Sequence, residues 1–180
     1  MKLLPLLLIV ITFEIYGQIR FSSISAGVGA GYIKGNTPSE FAYLAGANFD
    51  FHLWFSSKFS FRAGVIYGRD FSILVPEDRY GRNYPYLQGA SLSIVATQYV
   101  SDDIFFEGTG GFLMLNDRSF SDIDEWAPGS AISVTVNKNF YNRLISKEGI
   151  SVSASFESGF TFFKTLPQYY GVLVKLRYNF

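Results

Sequence analysis

The sequence predicts an all-β protein, an eight-stranded antiparallel up-and-down transmembrane β-barrel, and three observations carry that prediction. Large apolar residues alternate with small or polar ones along most of the chain, the period of a strand and not of a helix. Aromatic residues make up 18% of the 180 residues, with 19 Phe and 12 Tyr, more bulk than the inside of a small barrel can hold. Charged residues make up only 17%, below the roughly 25 to 35% expected of a surface that faces water.

The same composition closes off several functions. With 15 Lys+Arg against 15 Asp+Glu, the chain lacks the basic field that nucleic-acid binding needs. Without Cys it has no disulfide scaffold, thiolate zinc site, thiol nucleophile or lipoprotein-type acylation site. Lys2, the apolar stretch Leu3 to Phe13 and the small Gly17 before Gln18 follow the order of a secretory signal peptide. That stretch is shorter than the roughly 20 residues of a spanning helix. Residues 1–17 are therefore expected to be cleaved, leaving residues 18–180 as one barrel domain. Cleavage removes one Lys and one Glu, so neutrality survives it.

Strands are predicted at 21–34, 41–54, 59–74, 84–100, 104–116, 130–142, 150–164 and 169–180. The first carries Gly27, Gly29 and Gly31 on one phase, and its alternation breaks down around Arg20 to Ser23. The second sets Phe41, Tyr43, Phe49 and Phe51 against Gly46, Asp50 and His52, and the third sets Phe59, Phe61, Tyr67 and Phe71 against Arg62, Gly64, Gly68 and Asp70. Gly89 marks the small phase of the fourth, while the fifth opposes Phe106 and Phe112 to Glu107 and Gly111. The sixth has Val136 and Phe140 on its apolar phase, with Lys138 between them as an exception; Arg69 is a similar exception in the third. The seventh alternates Ile150, Val152, Ala154, Phe156, Phe160 and Phe162 with Ser151, Ser153, Ser155, Glu157, Gly159 and Thr161. In the eighth, Tyr170, Val172, Val174, Leu176, Tyr178 and Phe180 oppose Gly171, Leu173, Lys175, Arg177 and Asn179. Connections 55–58 and 101–103 are tight, whereas 75–83 and 117–129 are longer and polar. An even strand number returns both chain ends to the side of the tight turns.

Alternation does not by itself say which face is outside. A soluble barrel holding a ligand would turn its apolar phase inward, and there the phenylalanines would not fit. Glycines, hydroxyls and ions suit a narrow lumen, so the barrel is read as greasy outside and polar inside. The outward aromatics gather toward strand ends, where membrane-interface girdles belong.

The final strand, alternating from Val172 and ending on Phe180 with Tyr178 two places earlier, resembles the C-terminal signature by which bacterial outer-membrane barrels are recognised for assembly. With the leader and eight strands, the chain resembles the small OmpA/OmpX-like barrels. That resemblance implies a place in the bacterial outer membrane. The partners it implies are outer-membrane lipids, including lipopolysaccharide, and the barrel-assembly machinery acting on Tyr178 and Phe180. A monomer is expected.

The ionisable groups concentrate on the lumen phase, as Asp50, His52, Arg62, Asp70, Glu107, Glu157, Lys175 and Arg177. Buried charges must pair. Symmetric hairpins would set Glu157 across from Lys175 or Arg177, and Asp50 with His52 near Arg62, as a network toward the tight-turn half. Such a network is either a polar plug, the preferred reading, or the gate of a narrow ion pore. A lipid A-modifying enzyme is the less favoured third reading: His52 is the only His, it sits at the wrong end, and no deacylase-like His-x-Ser-Asn stretch is present. No catalytic residue, metal or cofactor is expected. Two polar loops remain. Asp117, Asp122, Asp124, Glu125 and Trp126 form an acidic loop read as solvated, and Glu77, Asp78, Arg79, Tyr80 and Arg82 a second, whose arginines could meet lipopolysaccharide phosphates.

Overall fold

The alternation becomes a single closed sheet. A computed structural model describes residues 19–35, 38–53, 59–74, 85–118, 124–142, 146, 148–162 and 167–180. The predicted leader at 1–17 and the loop residues Glu77, Asp78, Arg79, Tyr80, Arg82 and Asp122 lie outside the described residues. The strands are β1 (Ile19–Lys34), β2 (Glu40–Leu53), β3 (Phe59–Asp70), β4 (Tyr86–Tyr99), β5 (Ile104–Arg118), β6 (Glu125–Asn139), β7 (Gly149–Thr161) and β8 (Gln168–Asn179). Each pairs with the next, and β8 pairs with β1, so the barrel has eight strands and no free edge. Ser23 lies opposite Asn179, which puts the start of β1 and the end of β8 at the end of the tight turns.

The closing seam depends on glycine. Gly27, Gly29 and Gly31 face Lys175, Leu173 and Gly171 of β8. A Cβ on Gly29 would run into the Val172 carbonyl oxygen, and on Gly27 or Gly31 into those of Val174 and Tyr170. Gly29→Val is therefore expected to prevent closure. Unboiled and boiled samples of that variant should run alike in detergent gels, and a wild-type mobility shift would refute the crowding argument.

Three departures from the predicted elements have local causes. At Arg20 to Ser23 a β-bulge between Phe21 and Ser23 resets the phase, and the Ser22 carbonyl there accepts from Phe180 N at 3.0 Å. β3 ends at Asp70, whose Oδ1 accepts from Ser72 N at 2.9 Å and Ser72 Oγ at 2.7 Å, turning the chain into a 3₁₀ segment (Phe71–Leu74). β5 and β6 extend past their predicted ends, pairing Asp117 with Glu125 and Asn116 with Trp126. Pro128 and Gly129 look like loop residues, yet Pro128 lies before β7 begins to pair at Gly129, where its missing N–H breaks no ladder bond with β7.

The exterior is apolar around the barrel, with Val28, Val134, Phe156, Val172 and Leu176 all exposed in mid-strand. Rings cluster toward both ends. Tyr32 stacks on Tyr170 at 5.4 Å near one rim, and Tyr178 meets Phe180 edge-on at 5.3 Å at the other. Lys138 is exposed at the end of β6, 6.0 Å from the Phe140 ring, where its stem can carry the ammonium toward water.

The interior corrects the expectation of a uniformly polar lumen. Its long-loop half is filled by Ile33, Leu44, Ile66, Leu87, Leu113, Leu115, Tyr169 and Leu173. Leu44, Leu113, Leu115 and Leu173 are fully buried. The glycines of the lumen phase make room for them: a Cβ on Gly68 or Gly89 would come within 2.8 Å of Leu44 or Leu115.

Candidate functional site

Below this apolar layer lie the charges. Register puts Asp50 of β2 directly opposite Arg62 of β3. Arg62 Nε donates to Asp50 Oδ1 at 2.6 Å, and its Nη2 to Asp50 Oδ2 and Glu107 Oε2, both at 2.9 Å. Arg177 reaches across the axis from β8, donating from Nη1 and Nη2 to the two Glu107 oxygens, each at 2.7 Å, and its Nη2 also lies 3.3 Å from Asp50 Oδ2. Ser23 Oγ adds a bond to Asp50 at 2.8 Å. Arg177 also lies 5.8 Å from the Phe105 ring. All four charged groups are buried. Two carboxylates against two guanidiniums leave no net charge, which makes their burial tolerable.

Glu157 and Lys175 form a second pair. They are not opposite one another, as a symmetric hairpin would require: Glu157 faces Gly171, and Lys175 faces Ser153. The turn decides this, because Thr161 N donates to Pro167 O at 3.1 Å and β8 starts with Gln168 opposite Phe160. The flexible lysine stem spans the offset. Arg177 is thereby released from Glu157 to serve Glu107. With its amide oxygen turned inward, Asn48 accepts from Lys175 Nζ at 2.9 Å, the orientation demanded by an ammonium that can only donate. Asn48, Arg62, Glu157 and Tyr169 border a cavity of about 30 Å³, room for about one water.

At the tight-turn end the network opens on a vestibule of about 460 Å³ walled by Ser22, His52, Ser60, Thr97, Tyr99 and Glu107 among others. Among the described residues, His52 Nδ1 has no hydrogen-bond partner. Asp70, read as a lumen charge, instead serves the rim turn described above.

Of the acidic residues read as a solvated loop, Asp117 falls in β5 and Glu125 and Trp126 fall in β6. Asp117 is buried in β5, while Asp124 pairs with Arg118 at 2.6 Å. Asn116 was missed altogether. It lies on the outward phase yet is fully buried, accepting from Gln88 Nε2 at 3.1 Å and Arg118 Nε at 3.2 Å and donating to Asp124 Oδ1 at 2.8 Å. The signal was present in the sequence: Gln88, Asn116 and Arg118 interrupt the apolar phase near the same ends of β4 and β5.

Two solved structures share this architecture. Neisserial surface protein A (NspA), from Neisseria, superposes with a TM-score of 0.59 at 7% identity, over 88% of this chain and 97% of that one. Ail, the attachment invasion locus protein of Yersinia pestis, gives 0.52 at 14% identity, over 91% and 99%. Both are small eight-stranded outer-membrane barrels, and this chain shares their closed eight-stranded antiparallel fold. No protein-family model and no curated protein matches the sequence.

Proposed function

We propose that this chain is a closed, non-enzymatic barrel of the bacterial outer membrane with a structural or surface-interaction role. The observation that carries the reading is the inverted exposure: Val174 and Leu176 are 56% and 58% exposed, whereas Lys175 and Arg177 between and beyond them are each 4% exposed. In water such a surface would aggregate. Against acyl chains it is the stable arrangement, since Lys or Arg facing mid-membrane lipid costs about 2 to 4 kcal/mol. The polar vestibule and paired charges support a lumen plugged rather than gated, because every charge in the network already has its partner. Contact with outer-membrane lipids, lipopolysaccharide included, follows from the same exterior. Tyr178 and Phe180, exposed beside one another at the end of β8, suit recognition by the barrel-assembly machinery.

Residues 18–180 refolded into lipid vesicles should resist extraction at alkaline pH and shift on boiling. In planar bilayers the same protein should stay silent at any applied voltage. Extraction with the aqueous phase would sink the membrane assignment, and stable openings would replace the plug with a pore.

A further inference from the structure

On the outer wall near the long-loop end, a groove of about 810 Å³ has a floor of small side chains, including Ala45, Ala47, Val65 and Ala90, with Tyr67 and Trp126 among its lining residues. Two residues further toward the loops stands Arg69. It faces outward between Tyr43 and Tyr86 in the register of β2, β3 and β4 and lies 5.8 Å from the Tyr86 ring. Its Nε is buried without a hydrogen-bond partner. Arg118, a second outward arginine near this rim, is neutralised by Asp124 at 2.6 Å. Among the described residues Arg69 has no carboxylate partner, and its guanidinium stands above an apolar groove.

We infer that this groove and Arg69 form a binding site for one lipid A molecule of the outer leaflet, the groove taking an acyl chain and Arg69 a phosphate. The inference rests on the outer-membrane reading above, which makes the long-loop end the outer-leaflet side. The chemistry is that of an amphiphile: a cation prefers a phosphate in its fork geometry, and Tyr67 and Trp126 hold apolar bodies and polar tips at the headgroup level. A second copy fits less well. Barrels inserted in one orientation would bring two Arg69 groups to the same height across the interface, cation against cation.

The test uses Trp126 as reporter. Replacing the other tryptophan by Trp54→Phe in refolded residues 18–180 leaves Trp126 alone, and its emission is followed as lipid A is titrated into zwitterionic micelles. Saturable binding is expected, weakened about tenfold or more by Arg69→Gln and also by Ala47→Leu, which fills the groove. Dephosphorylated lipid A should bind weakly. Equal binding of phosphatidylglycerol, equal binding of dephosphorylated lipid A, or indifference to Arg69→Gln would overturn the site. So would a cross-linkable dimer lost on Ala47→Leu while lipid A binding stays unchanged. The boiling shift of each variant confirms folding, and bilayer insertion of the parent protein separates failure of this site from failure of the membrane assignment.

Discussion

Glu107→Ala is expected to lower the unfolding free energy by about 3 to 5 kcal/mol, the cost of leaving buried charge without its partner. Glu107 hydrogen-bonds both arginines, with Arg62 at 2.9 Å and Arg177 at 2.7 Å on each oxygen, whereas Asp50 hydrogen-bonds Arg62 and lies 3.3 Å from Arg177. Removal of Glu107 leaves two guanidiniums to share Asp50. The double variant Glu107→Ala with Arg177→Ala restores a one-to-one pair between Asp50 and Arg62, so it should be more stable than Glu107→Ala alone. Urea titration of the refolded barrel in micelles, followed by circular dichroism, measures both. If the double variant costs the sum of the two single ones, the network is not coupled and the argument fails.

The second large effect concerns conduction. Leu113→Ala combined with Leu173→Ala is expected to convert a silent barrel into a conducting one, whereas Glu157→Gln with Lys175→Met is expected to stay silent. The reason is the layered interior. Leu113 and Leu173 are fully buried in the apolar half, and the polar half already opens on a vestibule of about 460 Å³. On the plugged reading, water and ions that reach the charges from that end would still meet the leucine layer. Each truncation costs about 2 to 5 kcal/mol, so the boiling shift must first show that the variant is folded. Openings in the charge variant and silence in the leucine variant would reverse the roles of the two layers.

Much of the barrel was legible residue by residue. The period of two from Ile150 to Phe162 placed β7, and the pairing of Asp50 with Arg62 followed from the short connection at 55–58, since a tight turn leaves little freedom of register. The pairing of Glu157 was read less well, because the connection near 163–166 could be centred in more than one way, and the Thr161 to Pro167 bond chose between them. Asp117, Glu125 and Trp126 read as loop residues but lie in β5 and β6, because polar residues beside Pro128 imitate a loop. The strand pattern beneath them continues.

The sequence by itself determined the strand number, the faces of the strands and the sign of the inversion, because side-chain alternation is a local property that the backbone imposes on every strand. Only the tertiary structure decided what meets across the axis: that Arg177 passes over Glu157 to reach Glu107, that leucines from β2, β5 and β8 stack in one half, and that Arg69 stands over a groove built by several strands. Those contacts join residues far apart in the chain, and their geometry depends on how a twisted sheet closes on itself, which no single strand encodes.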